Sequence, residues 1–384
     1  MKQKRICIDI NSIVPLFVQG HVPGIGRTTF ELVEALAAMK DELPFNIVLY
    51  SQNMKGIGKK NLENIPFEKR HLYLPHRKKH NQLLQKIPIR EILTNYDLLH
   101  IPHNFEYVYN PAKTIITLHD VLFMKIQEEK FNHAKLAQII QPFIQNIKAI
   151  ITCSEYSKKD MIESMNVADE KIHVIPWGIR HDLFFPENDK AALKSQLQNH
   201  FNLTQPYFLS VSCNEERKNT PRLIDCYIEL AKTNPANDLC LLWRAPEHIR
   251  KKVEDSGFQD KIHFLHHVSD THLRILYAGA TATVYPSLYE GFGLPVLEAM
   301  ACGSPIICSD TTSIPEVGGD AAIYINPSDN RSIFDALNVF DKSDYDSSAW
   351  IEKGIKRAAT YTWEKCAQQT AAIYEKSLYL QNDI

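Results

Sequence analysis

The sequence predicts a doubly wound α/β protein of two Rossmann-like domains, each a parallel sheet with helices on both faces, facing one another across a cleft. Three observations predict it. Short β-branched apolar runs alternate with amphipathic helical segments along the chain, the rhythm of βαβ units. Most of these runs are continuously apolar, which means strands covered on both faces, as in parallel sheets. The rhythm breaks once, in IPWGIRHDLFFPEN, where two prolines and a glycine interrupt any helical period over Pro176–Asn188. That stretch reads as an interdomain linker.

In the first half the expected strands are Arg5–Ile10, Asn46–Tyr50, His71–Leu74, Leu98–Ile101, Thr114–Leu118, Ala149–Cys153 and Lys171–Ile175. In the second half they are Tyr207–Ser212, Leu239–Trp243, Ile262–Leu265, Thr281–Tyr285, Pro305–Ser309 and Ala322–Ile325. Helical periodicity falls between them at Thr28–Met39, Lys158–Met165, Pro221–Lys232, Asp270–Ala278 and Pro295–Ala301. The domains are then 1–180 and 188–362. Ligands of such sheets bind beyond the carboxyl ends of the strands, so the loops there are where function is sought.

The 384 residues, 44% hydrophobic and 23% charged, are those of an ordinary globular chain. A net charge of -2 gives no global attraction for nucleic acid. Eight cysteines are scattered without C-x-x-C or zinc-finger spacing, several inside apolar runs, and read as small buried hydrophobes. MKQKR opens the chain, but Asp9 and Asn11 interrupt the short apolar run behind it, so no signal peptide is expected. No stretch is long enough to span a bilayer; the expectation is a soluble or peripheral protein.

Three loop-to-helix junctions suit an anionic phosphate. Gly24-Ile25-Gly26-Arg27 precedes the helix expected at Thr28; glycine lets backbone N–H groups approach a ligand and the helix start supplies unpaired donors. The same run serves equally as a tight turn. Arg217-Lys218-Asn219-Thr220-Pro221 follows a strand, with Thr220 as N-cap and Pro221 in the first turn. Two cations there clamp a diphosphate, or pair locally with Glu215 and Glu216. The third junction, YPSLYEGFGLPVLEAMACGSPIICSD, carries the most information. Glu290 sits on the loop after a buried strand, Gly291, Phe292, Gly293 and Leu294 follow, and Pro295 starts a helix bearing Glu298. Ionised carboxylates accept hydrogen bonds from polyols, Glu290 from sugar hydroxyls and Glu298 from a ribose diol. Downstream, Ser313-Ile314-Pro315-Glu316 reads as a capping box, or as a contact to the base or ribose.

Between Phe67 and Arg90 the chain is locally basic, with Arg77, Lys78 and Lys79 among interleaved apolar residues. This stretch is a candidate for docking a lipid-linked acceptor at an anionic membrane surface, or a solvated face of the first domain.

With E-G-F-G-L-P-x-x-E and the downstream S-x-P-E-V in place, the chain resembles glycosyltransferase family 4, of the GT-B fold, over nearly its whole length. GIGRTTFELVEAL, TLHDVLF, TCSEYSKKDM, VIPWGI, ERKNTPRLI and YTWEKCA resemble other segments of that family. The resemblance implies a retaining transfer from a nucleotide-sugar, with a last helix, 363–384, returning to the first domain. It implies that Glu290 binds donor-sugar hydroxyls and Glu298 the ribose. Arg217 and Lys218 hold the diphosphate, helped by the backbone of Gly26, Phe292 and Gly293. His119 lies beside the reacting carbon and Asp120 near the acceptor. No metal or other cofactor is implied, and no D-x-D element suited to a cation bridging phosphates is found. The implied partners are a nucleotide-sugar donor and a saccharide or lipid-linked saccharide acceptor, at a cytoplasmic location. The chain is similar to bacterial polysaccharide mannosyltransferases, which favours GDP-mannose; a UDP-sugar donor is the alternative, and a non-catalytic sugar-nucleotide-binding protein the alternative of another class. Two features depart from the family: Trp177 stands where asparagine is common, and SVSCNEERKN lacks the glycine-arginine pair.

Overall fold

The computed structural model describes residues 3–15, 24–56, 62–73, 88–103, 108–125, 140–213, 215–266, 268–342 and 344–379. The chain divides into two compact units, Met1–Gly178 with Trp363–Ile384, and Ile179–Thr362.

Unit 1 is built on seven strands: β1 (Arg5–Asp9), β2 (Asn46–Gln52), β3 (Glu68–Leu72), β4 (Leu98–Ile101), β5 (Thr114–Thr117), β6 (Ala149–Thr152) and β7 (Ile172–Val174). They lie in the order β3-β2-β1-β4-β5-β6-β7, every pairing parallel. The inner strands β4, β5 and β6 are buried at every residue, as their unbroken apolar runs require. Around them pack α1 (Gly24–Ala38), α2 (Ile89–Thr94), α3 (Leu122–Lys125), α4 (Glu155–Met165) and the C-terminal helix Trp363–Tyr379, which lies against α1. Ser154 caps α4 by accepting from the Ser157 N–H. Left-handed Asn95 and Asn166 close α2 and α4.

Unit 2 holds β8 (Tyr207–Val211), β9 (Asp238–Leu242), β10 (Ile262–Leu265), β11 (Ala282–Tyr285), β12 (Ile306–Ser309) and β13 (Ile323–Ile325). Their order is β10-β9-β8-β11-β12-β13, again parallel throughout. Its helices are α5 (Lys190–Phe201), α6 (Thr220–Ala231), α7 (Glu247–Ser256), α8 (Asp270–Gly279), α9 (Leu294–Ala301), α10 (Ile314–Gly318), α11 (Asn330–Phe340) and α12 (Ser348–Ala358). Leu223, Ile224, Tyr227, Leu230 and Ala231 give α6 an apolar stripe of helical period. It packs with Ile333, Leu337 and Phe340 of α11 over Phe208, Leu239, Leu241 and Val284 of the sheet.

Four expectations need correction. The third strand is Glu68–Leu72, three residues before the expected start, because it is a half-exposed edge strand without an apolar run. Helix α1 begins at Gly24, not Thr28, so the glycines lie inside its first turn. The N-cap of α6 is Asn219, at φ 58, and Thr220 is already helical. The expected linker is divided: Pro176–Gly178 belong to unit 1, while Ile179 starts unit 2, where it forms a parallel bridge with Thr362.

None of the eight cysteines is in a disulfide, and all but Cys213 are buried. Among the described residues no helix is long and apolar enough to cross a membrane.

A buried histidine ties the last helix of the chain to the first sheet. His100 on β4 meets the Tyr374 hydroxyl at 2.5 Å and Thr117 Oγ1 at 2.8 Å. Burial, reinforced by nearby His103 and His119, lowers its pKa from 6.5 to about 3. Burial likewise brings His119 to about 4. Folding therefore requires both rings neutral. The stability they confer is complete above pH 6.5 and is lost as pH falls towards these values, each ring steepening the loss by about 1.4 kcal/mol per pH unit. Melts between pH 8 and 4 are expected to show this decline beginning near 6.5, well before carboxylates titrate. His100→Gln should lower stability at pH 8 and flatten the acid slope; an unchanged slope would refute the assignment.

Candidate active site

In both sheets the chain order reverses at the centre, between β1 and β4 in unit 1 and between β8 and β11 in unit 2. Loops leaving neighbouring strands on the two sides of such a point open a crevice at the carboxyl ends. Of the charged residues singled out in the sequence, Arg217, Lys218 and Glu290 collect at the second of these two places.

In unit 2 the loop after β8 makes one 3-10 turn over Glu216–Lys218 and enters α6 through left-handed Asn219. The Asn219 amide does not cap the helix; it donates to the carbonyls of Pro286 at 3.1 Å and Pro327 at 2.7 Å. The Leu288 N–H donates to the Arg217 carbonyl at 2.7 Å. The loop after β8 is thus fastened to the loop after β11, and this brings Arg217 and Lys218 onto Glu290. Lys218 Nζ donates to Glu290 Oε1 at 2.7 Å and to the Tyr285 hydroxyl at 2.7 Å. One Arg217 nitrogen donates to Glu290 Oε2 at 2.7 Å and approaches the Tyr289 carbonyl at 3.2 Å. The other meets Glu215 at 2.5 Å. The local pairing and the grouping with Glu290 therefore coexist.

All three groups are largely withdrawn from solvent, with side chains 18%, 13% and 10% exposed for Arg217, Lys218 and Glu290. Burial raises the pKa of the Glu290 carboxyl, but Lys218 and Arg217 outweigh it and bring the group to about 2. Burial acts to lower the Lys218 pKa, and the Glu290 carboxylate more than reverses that, leaving it above the ordinary lysine value. The cluster stays fully charged across any working pH.

Behind it the glycine loop is held by the loop after β12. The Ser313 hydroxyl lies 2.9 Å from the Glu290 carbonyl and 3.0 Å from that of Phe292. Ser313 makes no side-chain cap to α10, so the expected capping box is replaced by a tether on the neighbouring loop. The Glu290 N–H donates to Thr312 Oγ1 at 3.3 Å. Gly293, at φ 114, turns the chain into α9 with Pro295 in the first turn, a conformation that disfavours any side chain. Phe292 is buried edge-on to Tyr361 at 6.0 Å. Glu298 follows in α9, buried, with Oε2 accepting from the Tyr277 hydroxyl at 3.0 Å. Helix starts at α6 and α9 add partial positive charge beside the cluster.

In unit 1 His119 lies beyond β5, its Nε2 3.4 Å from the Pro102 carbonyl. A carbonyl partner calls for a proton on that nitrogen. The His119 carbonyl accepts from Cys153 and Ser157, both at 3.2 Å. Trp177, the departure noted above, packs on the His119 ring at 5.3 Å and stacks on Trp363 at 6.2 Å. Asp120 accepts from the Leu122 N–H at 3.0 Å, at the start of α3. Gly24 is exposed and Gly26 buried in the first turn of α1. Arg77, Lys78 and Lys79 lie outside the described residues.

Sequence reasoning missed a buried cluster at the β1–β4 reversal. Asp9 has no exposure and accepts from the Asn11 backbone and side chain at 2.9 Å, from Arg90 at 2.9 Å and from His103 at 3.4 Å. Burial opposes its ionisation, and His103 and Arg90 hold its pKa far below the usual carboxylate range. Asp9 looked like an interruption in an apolar run, and only the adjacency of β1 and β4 reveals its partners. Among the described residues, no group of three or more His, Cys, Asp or Glu is placed to hold a metal ion.

Residues 194–357 match the family described as Glycosyl transferases group 1, and residues 22–183 match Glycosyltransferase Family 4. The chain is 31% identical to the O-antigen chain mannosyltransferase B of Escherichia coli, over 73% of this chain and 74% of that protein. It is 30% identical to the O-antigen chain mannosyltransferase RfbU of Salmonella typhimurium, over 56% of this chain and 58% of that one. In fold it is similar to the sucrose-phosphate synthase of Thermosynechococcus elongatus, with a TM-score of 0.75 at 18% identity, covering 97% and 99% of the two chains.

Proposed function

This chain belongs to glycosyltransferase family 4 and is a glycosyltransferase of GT-B fold, and from that premise we propose that it moves mannose from GDP-mannose to a saccharide or lipid-linked saccharide acceptor, with retention of configuration, in assembly of a surface polysaccharide. The sugar and the process follow the names of the two bacterial relatives. The observation that supports the donor site is the Lys218–Glu290–Arg217 cluster at the β8–β11 reversal.

When the bond from the anomeric carbon to phosphate breaks, negative charge gathers on the departing diphosphate and the sugar becomes oxocarbenium-like. Lys218 and Arg217, with the starts of α6 and α9, meet that charge where it develops. Glu290 accepts from donor-sugar hydroxyls and Glu298 from the ribose. The acceptor oxygen attacks the face the phosphate leaves, and a phosphate oxygen takes its proton, so configuration is retained. His119, neutral above about pH 4, supplies hydrogen bonding near the sugar without added charge. Asp120 of unit 1 serves the acceptor.

A nucleoside diphosphate panel tests the donor. GDP at a hundred times its Kd is expected to stabilise the protein by about 2.7 kcal/mol in thermal melts; stabilisation by UDP and not GDP would replace the reading with a UDP-sugar enzyme. With protein cations facing the diphosphate, transfer is expected to continue in EDTA, and the product to be the α-mannoside by NMR. A β-mannoside would refute retention. GDP binding without transfer to any acceptor would favour a non-catalytic binding protein.

A further inference from the structure

We propose that Tyr277 positions Glu298 for the ribose and thereby sets a preference for ribonucleoside over 2′-deoxyribonucleoside diphosphates. The inference rests on the ribose role given to Glu298 above.

A glutamate side chain has several torsions, and freezing them costs rotamer freedom. A carboxylate that must face a cis-diol gains from having one oxygen fixed beforehand. The structure supplies that fixed point. Tyr277 on α8 is fully buried, and its hydroxyl donates to Glu298 Oε2 at 3.0 Å. The ring is held edge-on by buried Phe184 at 6.2 Å, so the hydroxyl cannot follow the carboxylate if Glu298 swings. Burial, with the Glu298 carboxylate behind it, raises the phenol well above its ordinary pKa. The oxygen keeps its proton and acts only as donor towards Glu298. A charge-assisted bond of this kind is stronger than one between neutral groups.

A buried tyrosine of β8 provides a contrast. The Tyr207 hydroxyl donates to the Leu276 carbonyl at 2.7 Å, which fixes the backbone of α8 to β8. It is a purely structural bond one residue away. Phenylalanine at 277 would fill the same space, and only the carboxylate gives the hydroxyl a purpose.

The experiment is calorimetric binding of GDP and 2′-deoxy-GDP, or of UDP and 2′-deoxy-UDP where the panel selects uridine, with donor KM and kcat measured alongside. Wild-type protein is expected to prefer the ribonucleotide by about tenfold or more. Tyr277→Phe should erase most of that preference and raise donor KM by about the same factor, with kcat changed less than about twofold. Tyr277→Met, which also fills the space without a hydroxyl, should repeat the loss. Tyr207→Phe should leave the preference intact. No preference in wild-type protein would refute the ribose role of Glu298 itself. A wild-type preference that survives in both Tyr277 variants would overturn the proposal and leave Tyr277 a packing residue.

Discussion

Replacing Lys218 by alanine is expected to lower kcat by about a thousandfold, the upper range for removing one donor that faces charge developing in a transition state. The size follows from how the ammonium is held. It is nearly buried, bonded to both Glu290 and Tyr285, and kept charged by the carboxylate. Water cannot take its place in that geometry without losing most of the field. The substitution also acts on the free protein. Breaking a buried ion pair by removing one partner costs about 3–5 kcal/mol when the other charge is abandoned. Here Arg217 still pairs with Glu290, so the melting temperature should fall by less than that cost implies. Lys218→Arg separates the two effects: it keeps the charge and most of the stability, but its planar fork replaces a point charge, so activity should recover only in part. A folded Lys218→Ala protein within tenfold of wild-type kcat would remove Lys218 from the mechanism.

The architecture was legible because parallel strands buried on both faces carry continuous apolar runs, and twelve of the thirteen strands sit close to such runs. The exception, Glu68–Leu72, is an edge strand whose charged residues hide it. The grouping of Arg217, Lys218 and Glu290 was partly legible: each lies in a recognisable loop, but that the three share one ion cluster depends on β8 and β11 being neighbours. Ser313 shows the opposite failure. Its local spacing announced a helix cap, and a tertiary partner, the carbonyls of the glycine loop, took its hydroxyl instead. Gly24 and Gly26 were expected just before a helix, and the helix already includes both of them. Tyr277 carries no sequence signal at all, because an aromatic residue on the apolar stripe of a helix looks like core until the carboxylate beside it is seen.

Glu290→Gln is expected to separate binding from turnover in opposite directions. In the free protein the carboxylate neutralises Lys218 and Arg217, the same cations assigned to the diphosphate. It therefore repels the incoming phosphates while engaging their counter-charges. Unit charges about 4 Å apart near a protein surface interact by about 4 kcal/mol; phosphates a little farther off, with the cations able to share, leave an expected gain of about 1 kcal/mol, or fivefold in affinity. Glutamine keeps the shape and removes the charge, so GDP should bind more tightly by calorimetry. Turnover should fall by about a hundredfold or more, because the ionised acceptor proposed for the sugar hydroxyls is gone. The ligand-free variant should melt lower than wild type, because two adjacent cations lose the carboxylate they share, and GDP should restore more of its stability than it adds to wild type. Since Glu290 titrates only near 2, these differences should hold unchanged from about pH 5 to 9. Weaker GDP binding in step with the lost turnover would show that Glu290 supports the phosphate cradle and does not read the sugar.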